Sequence, residues 1–373
     1  MATIRWTEDG VARSAAWHSE NATPVPARVV VVDDTTRADT AYRLARKGAG
    51  LLWRGDHHNA RQLLKAMDRR LQRGASRRAA TDDFAAHRAQ RAERSRVLGL
   101  LLVELEDDYS LRLRRAPDVR DACRSAYAYG EFEGPVCVSL QELLGVIGAH
   151  QWQTKGVPVA ALGENIHPGY GVFSPVRGEY VDLVAEAPLP TDAPTVFDIG
   201  TGTGVLAAIL ARRGARRVVA TDINPRAVAN ARETMAGLAL SERVEVVEAD
   251  LFPPGRADLV VCNPPWLPSE PTSALEAGIY DPDSDMLRRF LQHLGDHLEP
   301  GGEGWLVLSD LAEHLGLRSR SQLHAWFAAA GLQVVDRHDT APRHARASDP
   351  KDALHAARRD EVTSLWRLAP QQP

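Results

Sequence analysis

The sequence predicts an α/β fold: a doubly wound, mostly parallel sheet in the second half of the chain, preceded by an N-terminal α/β accessory domain. Three observations carry this. From about residue 195 onward, short apolar runs alternate with helical patterns. The runs are continuously apolar, as strands covered on both faces must be. The first three runs each lead to an aspartate, Asp198, Asp222 and Asp250, at the strand ends where open parallel sheets bind ligands.

In the first half, 27–32 (ARVVVV) reads as a strand, and 40–47 and 59–71 read as helices. The stretch 97–115 (VLGLLLVELEDDYSLRLRR) reads as a hairpin turning at Asp107-Asp108. An accessory domain over 1–150 and a second domain over 151–373 are expected, with 188–194 (PLPTDAP) a loop into the second domain's first strand. That strand is 195–200 (TVFDIG), followed by an Ala- and Leu-rich helix at 205–213. A strand follows at 217–222. Asn224-Pro225 then marks an N-cap with proline at the first helical position, opening a helix over 226–238. Strands at 244–250 and 257–262 come next. Leu287, Phe290, Leu291, Leu294 and Leu298 recur at helical spacing. A strand at 304–309, a helix at 320–330 and strands at 332–337 and 362–368 close the chain.

Bulk composition excludes several classes. The 373 residues, 44% hydrophobic and 25% charged, suffice for two cores. A net charge of −4 removes any global basic character, so a nucleic-acid surface has to be local. Three dispersed cysteines, Cys123, Cys137 and Cys262, fit a reducing cytoplasm better than a disulfide framework or a zinc site. No apolar run reaches the roughly 20 residues that span a bilayer. The first twenty residues carry no signal-peptide core. A cytoplasmic protein without membrane or metal is expected.

The loop F-D-I-G-T-G-T-G, 197–204, leaves a strand and opens a helix. Gly200, Gly202 and Gly204 permit tight backbone turns and close approach of a ligand. A dinucleotide site would read G-x-G-x-x-G and seat a pyrophosphate on the helix N-terminus. Here the spacing is G-x-G-x-G, and Asp198 would repel a pyrophosphate. A cation bearing an ammonium and a sulfonium suits it better. Asp222 stands where an acid accepts both ribose hydroxyls, and Asp250 where one receives an adenine amino group.

These residues, followed by A-T-D-I-N-P, E-A-D-L-F and V-V-C-N-P-P-W, resemble class I S-adenosylmethionine-dependent methyltransferases. More narrowly they resemble the N-P-P-aromatic branch, with its release-factor glutamine methyltransferases and small-domain RNA N-methyltransferases. The resemblance covers roughly 165–370. The segment G-V-F-S-P, 171–175, is similar to one that precedes the cofactor loop in the RNA enzymes. The resemblance implies a Rossmann-like, seven-stranded catalytic domain that binds S-adenosyl-L-methionine. It implies cofactor contacts from Phe173, Asp198, Gly200, Thr201, Gly202, Gly204, Asp222, Ile223, Asp250, Leu251 and Asn263. It also implies a macromolecular partner, RNA or a protein glutamine.

N-P-P-W supplies the chemistry. Amide and exocyclic amino nitrogens are poor nucleophiles, and two acceptors aimed at their N–H bonds both position them and favour positive charge on nitrogen. By family analogy these are the Asn263 side-chain carbonyl and the Pro264 main-chain carbonyl. Pro264 and Pro265 stiffen the corner, and Trp266 offers a flat face to a planar target. Tyrosine or phenylalanine usually stands where this chain has Trp266.

Other clusters are weighed more simply. His293 and His297 share a helix face without a third ligand nearby, as a solvated face does. Arg54, Arg61, Lys65, Arg69, Arg70, Arg73, Arg77, Arg78, Arg88, Arg91, Arg94 and Arg96 form a basic stretch: either an outer helix face or a phosphate-tracking surface. Arg343, His344, Arg346, Lys351, Arg358 and Arg359 form a second. Arg177 and Glu179 are candidates to touch cofactor or substrate. Methylation of a small molecule, a non-catalytic RNA or protein scaffold and a nicotinamide dehydrogenase remain the alternatives.

Overall fold

The computed structural model describes residues 2–76, 84–127, 134–175, 178–272, 275–343, 349, 352 and 354–371. The chain divides into two compact units, Met1–Gln151 and Trp152–Pro373.

The first unit contains β1 (Thr3–Glu8), β2 (Val11–Trp17), β3 (Arg28–Val32), α1 (Ala38–Arg46), β4 (Ala49–Trp53), α2 (His57–Ser76), α3 (Phe84–Leu98), β5 (Leu101–Leu105), α4 (Arg120–Tyr127) and β6 (Val136–Ser139). Helix α5 (Leu140–Lys155) follows. The sheet order is β1-β2-β6-β5-β4-β3. Asp9 and Gly10 both take positive φ, 50° and 75°, and turn β1 directly into β2. Leu51, Leu101 and Leu105 are fully buried, and Leu52 and Leu102 are fully buried on the opposite face of the sheet, among Ile4, Trp6, Ala15 and Trp17.

The hairpin expected over 97–115 does not form. Only Leu101–Leu105 is a strand, parallel to β4 on one side and antiparallel to β6 on the other. A turn does exist at Asp107-Asp108, where the Tyr109 amide donates to the Glu106 carbonyl at 2.9 Å. The returning residues form no strand, because the antiparallel edge of β5 is taken by Val136–Ser139, some thirty residues further on. Local alternation cannot reveal such a non-local partner.

The second unit contains β7 (Val157–Val159), β8 (Glu164–Ile166), α6 (Glu179–Glu186), β9 (Thr195–Ile199), α7 (Val205–Arg212), β10 (Arg217–Asp222), α8 (Pro225–Gly237), β11 (Val244–Glu248) and β12 (Ala257–Cys262). It continues with α9 (Asp285–Leu294), β13 (Leu298–Ser309), α10 (Leu311–His314), α11 (Arg320–Ala329), β14 (Leu332–Thr340), α12 (His355–Arg359) and β15 (Thr363–Pro370). The seven-stranded order is β11-β10-β9-β12-β13-β15-β14, and only β15 runs against its neighbours. Within the unit, order and directions are those of a class I methyltransferase fold. The order reverses between β9 and β12, which opens a crevice at their carboxyl ends.

Alternate residues of each central strand enter opposite layers. Leu259, Val261, Trp305 and Val307 pack with α6 and α7, whereas Val260, Cys262, Leu306 and Leu308 pack with α9 and α11. Both faces are therefore apolar, which explains the unbroken hydrophobic runs. Asn224 caps α8 as expected, its side chain accepting from the Arg226 amide. Leu298 is not a helical residue. It opens β13, because Gly295–His297 tightens into a 3₁₀ turn that ends the helix first.

No helix among the described residues is long and apolar enough to cross a membrane. The three cysteines are buried and unbridged. Among the described residues no three His, Cys, Asp or Glu side chains are grouped to hold a metal. His297 instead stacks on Phe252, with ring centroids 4.3 Å apart, and its Nδ1 meets the Gly255 carbonyl.

Candidate functional site

The loop after β9 is built around three left-handed glycines, with φ of 70°, 56° and 82° at Gly200, Gly202 and Gly204. Their reasons differ. A Cβ on Gly204 would lie 2.8 Å from Cε of Met235 and 3.4 Å from Cβ of Ala231, so this glycine lets α7 close on α8. A Cβ on Gly202 would meet nothing within 4 Å. That position faces open space, as close approach of a ligand requires.

Two carboxylates hold the loop. Oδ2 of Asp198 accepts from Thr201 Oγ1 at 2.6 Å and from the Ala207 amide at 3.0 Å, tying β9 to the start of α7. Asp222 accepts from the Gly202 amide at 2.9 Å through Oδ2 and from the Asn224 amide at 2.8 Å through Oδ1. Asp222 thereby sets the loop against the end of β10. Burial raises its carboxyl, and the amides of Asn224, Gly202 and Ile223 pull it back down.

Asp198 is 1% exposed. Burial pushes its carboxyl up to about 6 from 3.8, against the pull of Thr201 and Ala207. The folded state holds this proton more tightly than the unfolded chain. The group's contribution to stability is whole below pH 3.8 and is lost as pH rises through 6, leaving about 3 kcal/mol of burial cost at neutral pH. Asp198→Asn removes the titration. Its stability relative to the wild type is expected to rise by about 2 kcal/mol between pH 4 and pH 7, measured by urea unfolding at both. A difference independent of pH would contradict this.

Ile223 is 68% exposed beside Asp222, an unusual position for a large apolar side chain. Asp250 lies two residues beyond the end of β11. It is exposed and ion-paired with Arg289 of α9 at 2.6 Å. Leu251 is buried at φ 67°, and its carbonyl accepts from Thr221 Oγ1. Arg289 was not identified from sequence. It sits 39 residues from Asp250, and no motif connects them.

At the end of β12, Asn263 is half-buried and Pro264 buried. The Trp266 indole Nε1 donates to Asn263 Oδ1 at 2.9 Å. Trp266 is itself half-buried and packs against both apolar layers of the sheet. It is therefore not the freely exposed platform its sequence position suggested, and its N–H aims the carboxamide. The loop is fastened further along. The Leu267 amide donates to Ile279, the Asp281 amide donates to Leu267, and both oxygens of Asp281 cap α9 at the Met286 and Leu287 amides.

A strap over 167–175 joins two elements that flank the strand ends. Its start is tied to α8, where Asn230 Nδ2 donates to the His167 carbonyl and the Arg226 guanidinium lies 5.7 Å over the Tyr170 ring. Its end reaches the loop after β12, where a Cβ on Gly278 would lie 3.1 Å from Cβ of Phe173. The strap thus runs from α8, which follows β10, to the loop that follows β12. Ser174 Oγ and Glu179 Oε1, where it enters α6, are buried and bond to no protein atom among the described residues. Arg177 lies outside the described residues.

Structure divides the first basic stretch. Arg54 pairs with Glu8 and Glu104, Arg70 with Asp39, Arg94 with Asp68 and Arg96 with Glu93. Arg61, Lys65, Arg69 and Arg73 recur every four residues on α2 and are exposed. Arg77 and Arg78 lie outside the described residues, as do His344, Arg346 and Lys351 of the second stretch. Arg343 pairs with Asp182 at 2.8 Å, and Arg359 with Asp360.

Residues 166–330 match the family model described as "Methyltransferase small domain". Among individual proteins, the chain is 39% identical over 124 residues to the release factor glutamine methyltransferase of Cereibacter sphaeroides, covering 32% of this chain and 40% of that one. It is 37% identical over 139 residues to the enzyme of the same name from Moorella thermoacetica, covering 33% of this chain and 48% of that one. It is 29% identical over 210 residues to the tRNA1(Val) (adenine(37)-N6)-methyltransferase of Shewanella loihica, covering 50% of this chain and 85% of that one. The match thus spans less than half the length of the two release-factor enzymes.

Proposed function

With residues 166–330 a methyltransferase small domain, we propose that the chain is an S-adenosylmethionine-dependent N-methyltransferase acting on an amide or exocyclic amino nitrogen of a macromolecule, RNA or a ribosome-associated protein. One observation carries the reading: Asn263-Pro264-Pro265-Trp266 ends β12 directly beside the glycine loop that ends β9, at the sheet's switch point.

The residues present fit S-adenosylmethionine. Open space at Gly202 accommodates the cofactor's approach, and Ser174 and Glu179 retain polar atoms without partners among the described residues. Asp222 receives the ribose hydroxyls, Ile223 and Leu251 flank the adenine, and Asp250 accepts its amino group once released from Arg289. Gly200, Thr201 and Gly204 shape the loop, and Phe173 in the strap covers the methionine end. Asp198 supplies a buried negative charge behind a cationic ligand. When bound, the cofactor supplies an electrophilic methyl on sulfur.

The chain's own residues do the rest. Asn263 Oδ1 and the Pro264 carbonyl accept the two N–H bonds of the target and turn its lone pair toward the methyl. Those two oxygens would face the positive charge that the target nitrogen gains on taking the methyl from sulfur. The proton leaves to solvent afterwards. Trp266 keeps Asn263 aimed and lends an edge of its ring to the planar target. Trp266→Phe keeps a ring but removes the N–H. It is expected to lower kcat about tenfold with cofactor affinity unchanged, measured by turnover and calorimetry, as loss of one neutral hydrogen bond implies.

The first unit selects the macromolecule. The α2 cations, spaced about 6 Å apart along the helix axis, favour a phosphate backbone. The work is cytoplasmic. The test is transfer of radiolabelled methyl to RNA and protein fractions of cells lacking the chain, with mass spectrometry identifying the missing mark. Stabilisation by NAD and not by S-adenosylhomocysteine would overturn the reading.

A further inference from the structure

Arg318 lies in the turn between α10 and α11, at the carboxyl end of β13. The backbone there is well held. The Leu317 and Arg318 amides both donate to the Ala312 carbonyl, at 2.8 and 3.3 Å, and Ser319 caps α11. The side chain is only 3% exposed. Its Nε and Nη2 are buried and bond to no protein atom among the described residues.

Those two atoms form one edge of the guanidinium. Elsewhere in this chain the same edge grips a carboxylate with both nitrogens. Arg94 holds Asp68 this way, Arg96 holds Glu93, and Arg367 holds Glu303, all between 2.5 and 2.9 Å. The carboxylates near Arg318 are already engaged. Glu313 is held by Arg320 through both oxygens, and both oxygens of Asp281 cap α9. Glu313 and Asp281 are the acids whose charge reaches Arg318, opposed by Arg320.

A buried guanidinium without a partner is costly to keep, and its planar fork matches an oxyanion. Its position says which molecule brings that oxyanion. Strand β13 borders β12 on the side away from β9 and β10. Asp281 belongs to the loop that begins at Asn263 and is tied to it through Leu267. Arg318 therefore stands on the target side of the methyl-transfer centre, with β12 between it and the glycine loop.

We infer that the Nε–Nη2 edge of Arg318 is an oxyanion subsite that takes a phosphate of the methyl acceptor. This rests on the reading of β12 as the target-binding edge, and it names the acceptor as RNA, in keeping with the cations of α2. Seating the phosphate requires the 315–319 turn to yield. That turn is held to α10 through the Leu311, Ala312 and Glu313 carbonyls.

The test uses the full chain in phosphate-free buffer, with inorganic phosphate, sulfate and acetate as probes and thermal unfolding as the readout. Arg318→Met removes an unpaired buried charge, so its melting temperature is expected to exceed the wild type's by roughly 3–6 °C without added anion. Phosphate is expected to raise the wild-type melting temperature, to raise that of Arg318→Lys by less, and to leave Arg318→Met nearly unmoved. Calorimetric affinity for S-adenosylhomocysteine should agree within twofold among the three. Equal phosphate shifts in wild type and both variants would overturn the subsite, leaving an adventitious ion only. Acetate matching phosphate would overturn the phosphate and point to a protein carboxylate. Loss of S-adenosylhomocysteine affinity in Arg318→Met would assign the fork to the cofactor's carboxylate instead. Should Arg318→Met fail to fold, Arg318→Lys alone decides by its reduced shift. Failure of the wild type to bind S-adenosylhomocysteine would remove the methyltransferase reading and leave the phosphate arm standing on its own.

Discussion

Asn263→Ala is expected to lower kcat for methyl transfer by about 10²–10³-fold while leaving affinity for S-adenosylhomocysteine close to that of the wild type. The asymmetry follows from geometry. Asn263 Oδ1 stands at the end of β12, where the proposed mechanism places the target nitrogen as it gains charge. The glycine loop proposed to seat the cofactor is held by Asp198 and Asp222 instead. The substitution also leaves the Trp266 N–H without its acceptor, at a cost of about 1–3 kcal/mol where that group is buried. A melting curve taken beside the turnover assay separates that loss from catalysis. Asn263→Ala turning over at the wild-type rate with an unchanged melt would mean that the carboxamide does not grip the target.

The second large effect is expected at Asp222. Its replacement by alanine removes the carboxylate proposed to accept two ribose hydroxyls. Each such bond to a charged group is worth about 1.5–3 kcal/mol, so the cofactor's Kd is expected to rise at least about 100-fold. The loss is compounded inside the chain. The same carboxylate holds the Gly202 and Asn224 amides, so alanine also frees the loop the ligand settles on. Asp222→Asn keeps an acceptor for one amide and is expected to fall between the two. Calorimetry with S-adenosylhomocysteine reads all three. Affinity within threefold of wild type in Asp222→Ala would place the ribose elsewhere.

Much of the second unit was legible because its signals are local. The glycines at 200, 202 and 204 mark a backbone that only glycine adopts without strain, and all three have positive φ. Asn224-Pro225 marks a helix start because a capping carboxamide and a proline suit adjacent positions there. The unbroken apolar strands announce a sheet buried on both faces. The first unit was harder for the opposite reason. Strand β5 takes its antiparallel neighbour from Val136–Ser139, and β2 lies parallel to that same β6. Neither pairing leaves a mark in either segment alone, and Asp107-Asp108 is a true turn without a returning strand.

The sequence by itself marked the residues proposed for the chemistry: a glycine loop with an aspartate at or near each strand end, and an asparagine followed by two prolines. Those assignments rest on backbone conformation and residue type, both written within a few positions of the chain. Only the tertiary structure decided what each group is doing in the folded unit. Asp198 is spent on the loop, Asp250 is held by Arg289, Trp266 aims Asn263, and Arg318 keeps a buried fork without a partner among the described residues. Hydrogen bonds and burial join residues tens of positions apart, and their energies depend on separation in space, which no short window of sequence records.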